Sequence, residues 1–239
     1  EISWDVNQKI LYKNDLMMLD FIATNNWERP IYFTSPSTVE GVFDLTKYCH
    51  LEGLAYRFMP LLADHLMEGI GGINVDRCYD LLVNKARWGR LNEPNVYVDA
   101  ESRRNSIMPK QNYLRLASAL VDLNKMDSAV RVLDTCQKYF PNDKIYYDMY
   151  TLPMVEYYYA AGALEKGNEV STIILNNYEA DLQYYAKLSN YFREYYSQET
   201  ERAFAILQHL ASIARRYDQA PQADKIESSL NLILENFKI

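Results

Sequence analysis

Between Lys110 and Pro141 the apolar residues recur twice at helical spacing, with small side chains where two helices would touch. Tyr113, Leu116, Ala117 and Leu120 share one face of a first predicted helix. After a turn at Asn124-Lys125-Met126, Ala129, Leu133 and Cys136 share one face of a second, which Pro141 closes. Ala117 and Ala129 would let the two backbones approach closely while the larger side chains fill the seam. A pattern of this kind demands a helical hairpin, and a hairpin with an apolar flank demands a neighbour.

These positions match the large and small positions of a tetratricopeptide repeat, including its terminal proline. Two further hairpins are expected downstream. One runs from Met154 to Glu165, turns at Lys166-Gly167-Asn168, and continues from Glu169 to about Asn176. A Tyr-rich helix over 179–196 does not fit the repeat. The last pair spans about Glu199 to Tyr217 and Pro221 to Phe237, with stripes at Leu207, Leu210, Ala211 and Ala214, then Ala223, Ile226, Leu230, Ile233 and Phe237. The small positions fall at Ala117, Tyr158 and Ala211, so the spacing is irregular and the array degenerate. Stacked hairpins hold partners on the concave face lined by their first helices. Transferring that geometry puts Ser118, Asp122, Tyr159, Gln208, Ser212, Arg215 and Arg216 on a binding groove.

The chain before residue 96 reads differently. A helix is expected to open near Asn14, capped by Asn14 or Asp15, and to stop at Asn25-Asn26, since asparagine tolerates the left-handed conformation. Ile31-Tyr32-Phe33-Thr34 is a short strand, and residues 48–59 read as a second extended segment ended by Pro60. Gly69-Ile70-Gly71-Gly72 is a loop, followed by a helix from Asn74 to about Trp88 with Val75, Tyr79, Leu82 and Ala86 on one face. The expected architecture is mainly α: a small α+β unit over 1–95, then a helical-hairpin array over 96–239.

The composition narrows the function classes. A net charge of -7 with scattered basic residues argues against nucleic acid, whose phosphates need a clustered basic surface. The same balance argues against adhesion to an anionic membrane, and no apolar run approaches the length of a membrane span. Cys49, Cys78 and Cys136 have no metal-ligand spacing, and Cys136 falls on an apolar stripe. His65 with Asp64 and Glu68, and His50 beside Cys49, offer too few converging groups for a metal site. No nucleophile, base and orienting acid stand in a recognisable arrangement, so neither catalysis nor a cofactor is expected. Arg103-Arg104 is expected to pair with nearby acids such as Glu101.

Tyrosine, with 21 residues, is the outlier. Clusters at Tyr146-Tyr147, Tyr157-Tyr158-Tyr159, Tyr184-Tyr185 and Tyr195-Tyr196 either fill a helical core with hydroxyls at its edge or form a surface that stacks on sugars or grips a peptide. Core filling is the expected role of most, with Tyr159 as the exception that points into the groove.

The runs Lys13-Asn14-Asp15-Leu16-Met17 and Thr24-Asn25-Asn26-Trp27-Glu28-Arg29-Pro30-Ile31-Tyr32-Phe33 carry a family resemblance. So do Lys85-Ala86-Arg87-Trp88-Gly89, and Val96-Tyr97-Val98-Asp99 with Arg103-Arg104. The chain resembles the soluble C-terminal region of a bacterial family of large polytopic membrane proteins of unknown function. Their membrane half is related to protein O-mannosyltransferases. The resemblance implies that membrane helices and any transferase site lie upstream of Glu1, where no initiator Met stands, and that this region sits on the periplasmic face of the inner membrane. The partner it implies is a polypeptide or the membrane half of the same chain. A glycan-binding role and an oligomerising role are the alternatives.

Overall fold

The computed structural model describes residues 10–35, 45–67 and 70–237. The chain divides into two compact units, Glu1–Trp88 and Gly89–Ile239.

In the first unit, α1 (Lys13–Asn25) ends where Asn26 enters the left-handed region at φ 45°. At its start, Asp15 occupies the third helical position and takes the Tyr12 backbone N–H at 2.8 Å. Its role is therefore the return half of a capping box rather than the cap expected at Asn14 or Asp15. The strands β1 (Ile31–Phe33), β2 (Cys49–Glu52), β3 (Ala55–Phe58) and β4 (Gly72–Ile73) form one sheet in the order β1-β3-β2-β4. β1–β3 and β2–β3 are antiparallel and β2–β4 is parallel.

The single extended segment expected over 48–59 is a hairpin. Gly53 makes the turn with φ 72°, a conformation open to glycine, and its Cα lies against Leu81. The register sorts the side chains: Ile31, Phe33, Cys49, Leu51, Tyr56 and Phe58 share one face, and Phe58 meets Trp27, Phe33 and Tyr48 at ring distances of 5.7, 5.9 and 6.3 Å. Tyr32, His50, Glu52 and Arg57 share the other.

Gly71 and Gly72 let β4 into place. A Cβ on Gly72 would stand 2.2 Å from the Asp64 carbonyl oxygen, and one on Gly71 2.7 Å from the carbonyls of Thr46 and Cys49. The helix expected over 74–88 begins at its Asn74 cap as α2 (Val75–Tyr79) but widens into a π turn over Asp80–Lys85.

In the second unit, α3 (Ala100–Asn105), capped by Asp99, leads into α4 (Ile107–Asp122). α5 (Met126–Tyr139), α6 (Leu152–Ala160), α7 (Leu164–Ala186), α8 (Asn190–Tyr195), α9 (Ser197–Arg216) and α10 (Ala220–Phe237) follow. Three pairs pack most closely: α4 with α5, α6 with α7, and α9 with α10. The first helices of the pairs also touch, α4 against α6 and α6 against α9, while α7 packs on both α9 and α10. The α4–α5 seam holds the expected side chains: Tyr113, Leu116, Ala117, Ala129, Leu133 and Cys136 are all fully buried.

The middle pair departs from expectation. Its turn is Ala161-Gly162-Ala163, with Gly162 at φ 78°, and Gly167 lies inside α7. α7 then runs without a break to Ala186 instead of ending near Asn176. Asn177 is held in mid-helix because its amide exchanges hydrogen bonds with Asn142 and donates to the Tyr147 carbonyl at 3.1 Å. The segment between α5 and α6 is tied down further by Lys144, 11% exposed, whose ammonium donates to the carbonyls of Pro94 and Val96 at 2.9 Å each. Polar rungs join α7 to α10: Gln222 donates to Ser171 and Thr172, and Ser229 to Glu179.

Candidate functional site

The expected groove residues separate into three groups. Ser118, half-buried on α4, and Asp122, exposed at its end, lie on a first helix of a pair; so do Gln208 and Ser212, both exposed on α9. Ser212 returns its hydroxyl to the His209 carbonyl at 2.7 Å, which leaves Gln208 the more available of the two.

Arg215 and Arg216 are exposed but committed. Arg215 reaches across the α9–α10 hairpin to Asp224 and to Glu227 at 2.8 Å, and those hydrogen bonds raise its pKa. Arg216 reaches to Glu156 of α6 at 2.6 Å. Consecutive residues on one helix thus serve different neighbours.

Tyr159 does not face a groove. It is 3% exposed, its hydroxyl donates to Asn168 at 2.6 Å, and its ring meets Tyr217 at 5.7 Å. Burial pushes its phenol up to about 12. The ring turns inward because Gly167, one turn into α7, leaves the space it occupies: a Cβ there would stand 2.4 Å from Tyr159 Cε1. Tyr158 is likewise core, donating to Asp134 at 2.9 Å, and Lys166 joins the same carboxylate at 2.7 Å. That network ties α5, α6 and α7 together. Tyr147 is buried beneath Lys110, whose ammonium lies 4.3 Å from the ring centre and donates to Thr151 at 2.6 Å. Burial lowers the Lys110 pKa, while Cys136 and Asp148 act against that shift.

The remaining tyrosines behave otherwise. At the end of α7 and along α8, Tyr184 is 60% exposed, Tyr191 74% and Tyr195 71%, with Phe192 beside them. The half-buried Tyr185 and Tyr196 stack beneath this surface at 5.4 Å and 16°. Exposed rings held by stacked ones form an aromatic ledge. The sequence shows Tyr184-Tyr185 and Tyr195-Tyr196 as clusters but does not separate them from the core tyrosines, and it does not single out Tyr191 or Phe192.

The first unit holds the histidines and carboxylates singled out in the sequence. His50 is buried and its Nε2 lies 3.0 Å from the Leu61 carbonyl. His65 is half-buried at φ 49°, and Glu68 lies outside the described residues. Glu52, buried on the polar sheet face, accepts from the Tyr32 hydroxyl at 2.9 Å and the Asn74 amide at 3.3 Å, with Arg57 at 3.9 Å. Among the described residues no group of three or more His, Cys, Asp or Glu could hold a metal ion. Between the β2–β3 turn and the π turn lies a cleft of about 330 Å³, walled by Leu54, Ala55, Leu81, Leu82 and Ala86. Arg104 pairs with Glu101 at 2.8 Å on the exposed side of α3.

Residues 1–77 match the family model described as TMEM260-associated domain 2. The match covers the sheet and ends inside α2, so the helical unit lies outside it. It is consistent with a domain of a membrane-protein family. No curated protein matches the chain, and no solved structure does. Among the described residues, no helix is long and apolar enough to cross a membrane.

Proposed function

We propose that the chain is a non-catalytic accessory region of a larger membrane protein, and that its helical unit engages a polypeptide on the surface of α4, α6 and α9. The side-by-side contact of these three first helices carries the reading. Stacked pairs of this kind present one continuous surface built from several elements, which suits an extended partner. Ser118, Asp122, Gln208 and Ser212 lie on those helices, and the Glu156–Arg216 pair joins α6 to α9. The family match over residues 1–77 supports the membrane-protein context. The tetratricopeptide assignment rests on the large-and-small pattern of residues 110–141. A membrane half related to O-mannosyltransferases, and a periplasmic location, rest on the resemblance carried by Asn25 to Phe33 and the shorter runs after it.

Site-specific photo-crosslinking of the full-length protein in native membranes tests the surface. A benzophenone side chain at position 118 or 208 is expected to trap the same polypeptide, and one at Leu232, 66% exposed on α10, to trap none. Equal trapping at all three positions, or none at 118 and 208, would sink the reading. Protease cleavage of the region from outside intact spheroplasts is expected, and protection would overturn the periplasmic placement.

A further inference from the structure

The aromatic ledge belongs neither to the core nor to the surface of the first helices. Four large rings, Tyr184, Tyr191, Phe192 and Tyr195, are exposed over a stretch of chain that makes only one short helix and one helix end. Leaving so much ring surface in water is costly unless something covers it. The chemistry of the surface narrows what that is.

The rings touch one another. Tyr184 meets Tyr185 edge-on at 5.9 Å, Tyr185 stacks on Tyr196, and Tyr196 meets Tyr195 edge-on at 5.0 Å, so a continuous aromatic chain runs from α7 to the end of α8. Tyr191 and Phe192 form a second edge-on pair at 5.3 Å. Arg193 donates to the Leu188 carbonyl at 3.0 Å and clamps the connection between the two helices. Tyr184 and Tyr195, held against the stacked Tyr185 and Tyr196, lose little further freedom when a ligand stacks on them.

The surroundings of the rings are amide and hydroxyl groups. Gln183, Ser189, Asn190, Ser197 and Gln198 are all exposed, whereas Ala186 and Leu188, the aliphatic side chains of 183–199, are half-buried. A partner helix inserting leucine or methionine would look for aliphatic walls, and residues 183–199 offer only Leu188 and the Ala186 methyl. Charge is nearly balanced as well: Lys187 and Arg193 stand against Glu194, Glu199 and Asp181, the last already bonded by the Tyr146 hydroxyl, so the ledge offers no cluster of one sign to a charged ligand. A single-stranded nucleic acid could use the rings but would find no cationic track for its phosphates.

One ligand class satisfies all three properties. A pyranose ring has an apolar C–H face that stacks on an aromatic ring, and an edge of hydroxyls that bonds to amides and hydroxyls. We propose that the ledge is a binding site for an uncharged oligosaccharide, held chiefly by Tyr184, Tyr191 and Tyr195. It is independent of the polypeptide surface proposed above, and either can stand without the other.

Saturation-transfer difference NMR on the whole chain tests this, with neutral manno-, gluco- and chito-oligosaccharides as probes and a sulfated oligosaccharide for comparison. Transfer to at least one neutral probe is expected. A combined Tyr191→Ala and Tyr195→Ala variant should weaken that binding about tenfold or more. Tyr97→Ala, removing a tyrosine 83% exposed elsewhere in the unit, should leave it unchanged. Tyr184→Ala alone provides a second ledge variant if the double one fails to fold. Absence of transfer from every neutral probe, stronger binding of the sulfated one, or undiminished binding in the ledge variants would each overturn the proposal.

Discussion

Replacing Gly167 by alanine reverses the usual sign of that substitution. In a helix interior, glycine to alanine gains about 1 kcal/mol because alanine restricts the unfolded chain and favours the helix. At Gly167 the new methyl would lie 2.4 and 2.5 Å from Cε1 and Cδ1 of Tyr159, about 1 Å inside the ordinary contact distance. The ring has nowhere to go: its hydroxyl is bonded to Asn168 on the same helix and its face to Tyr217. Overpacking a fixed core site costs roughly 1–3 kcal/mol. Gly167→Ala is therefore expected to destabilise the helical unit by up to roughly 2 kcal/mol net.

Urea unfolding followed by helical circular dichroism measures this, with Tyr159→Ala as the second edge of a double-mutant cycle. Once the ring is gone, Gly167→Ala should regain its ordinary benefit, giving a coupling of about 1–3 kcal/mol between the two positions. A Gly167→Ala protein more stable than the parent, or a cycle that closes with no coupling, would refute the account of why Tyr159 points inward.

Two further expectations concern buried titratable groups. Burial lowers the Lys110 pKa, so between that value and the unfolded one the unfolded chain binds more protons, and the lysine's contribution to stability rises with pH. Cys136, pushed up to about 12, loses stability over an overlapping alkaline range, so the lysine's part is the difference between parent and Lys110→Met unfolding curves. That difference should favour Lys110→Met more at pH 7 than at pH 10; the opposite trend would show that the ammonium over Tyr147 is stabilising. The thiols of Cys49, Cys78 and Cys136 are all buried, with Cys49 and Cys136 held near pKa 12. None should react with a disulfide reagent at pH 8 until urea unfolds the chain, and a fast native reaction at any of them would contradict the packing.

The helical part was legible where packing and local preference agree. The pattern from Tyr113 to Cys136 located the α4–α5 pair because its small and large positions are set by contact between the helices themselves. The middle pair was misread because glycine signals two different things. Gly162 supplies the left-handed turn, while Gly167, five residues on, is small only to admit a ring from another helix. Nothing local in the sequence separates a glycine needed for its backbone from one needed for its missing side chain. The helix expected to end near Asn176 continues for a related reason: partners thirty and more residues away satisfy the Asn177 amide inside it.

Ser118, Asp122, Gln208 and Ser212 lie on first helices, but the arginines' partners, Glu156, Asp224 and Glu227, are set by tertiary approach. The tyrosine clusters were visible at once. Which of them are core depends on whether a second layer covers them, and that is a property of the assembled unit alone.

The Lys144 clasp constrains the chain unevenly. Its ammonium grips the carbonyls of Pro94 and Val96, groups that every residue carries. Side chains along 94–96 are therefore free of this tether, and substitution there leaves it intact so long as the backbone keeps its path. Position 144 has no such latitude, since it needs both the reach and the charge of lysine. Among related sequences the clasp would appear as a single invariant lysine facing a stretch that drifts, with no paired changes to betray the contact.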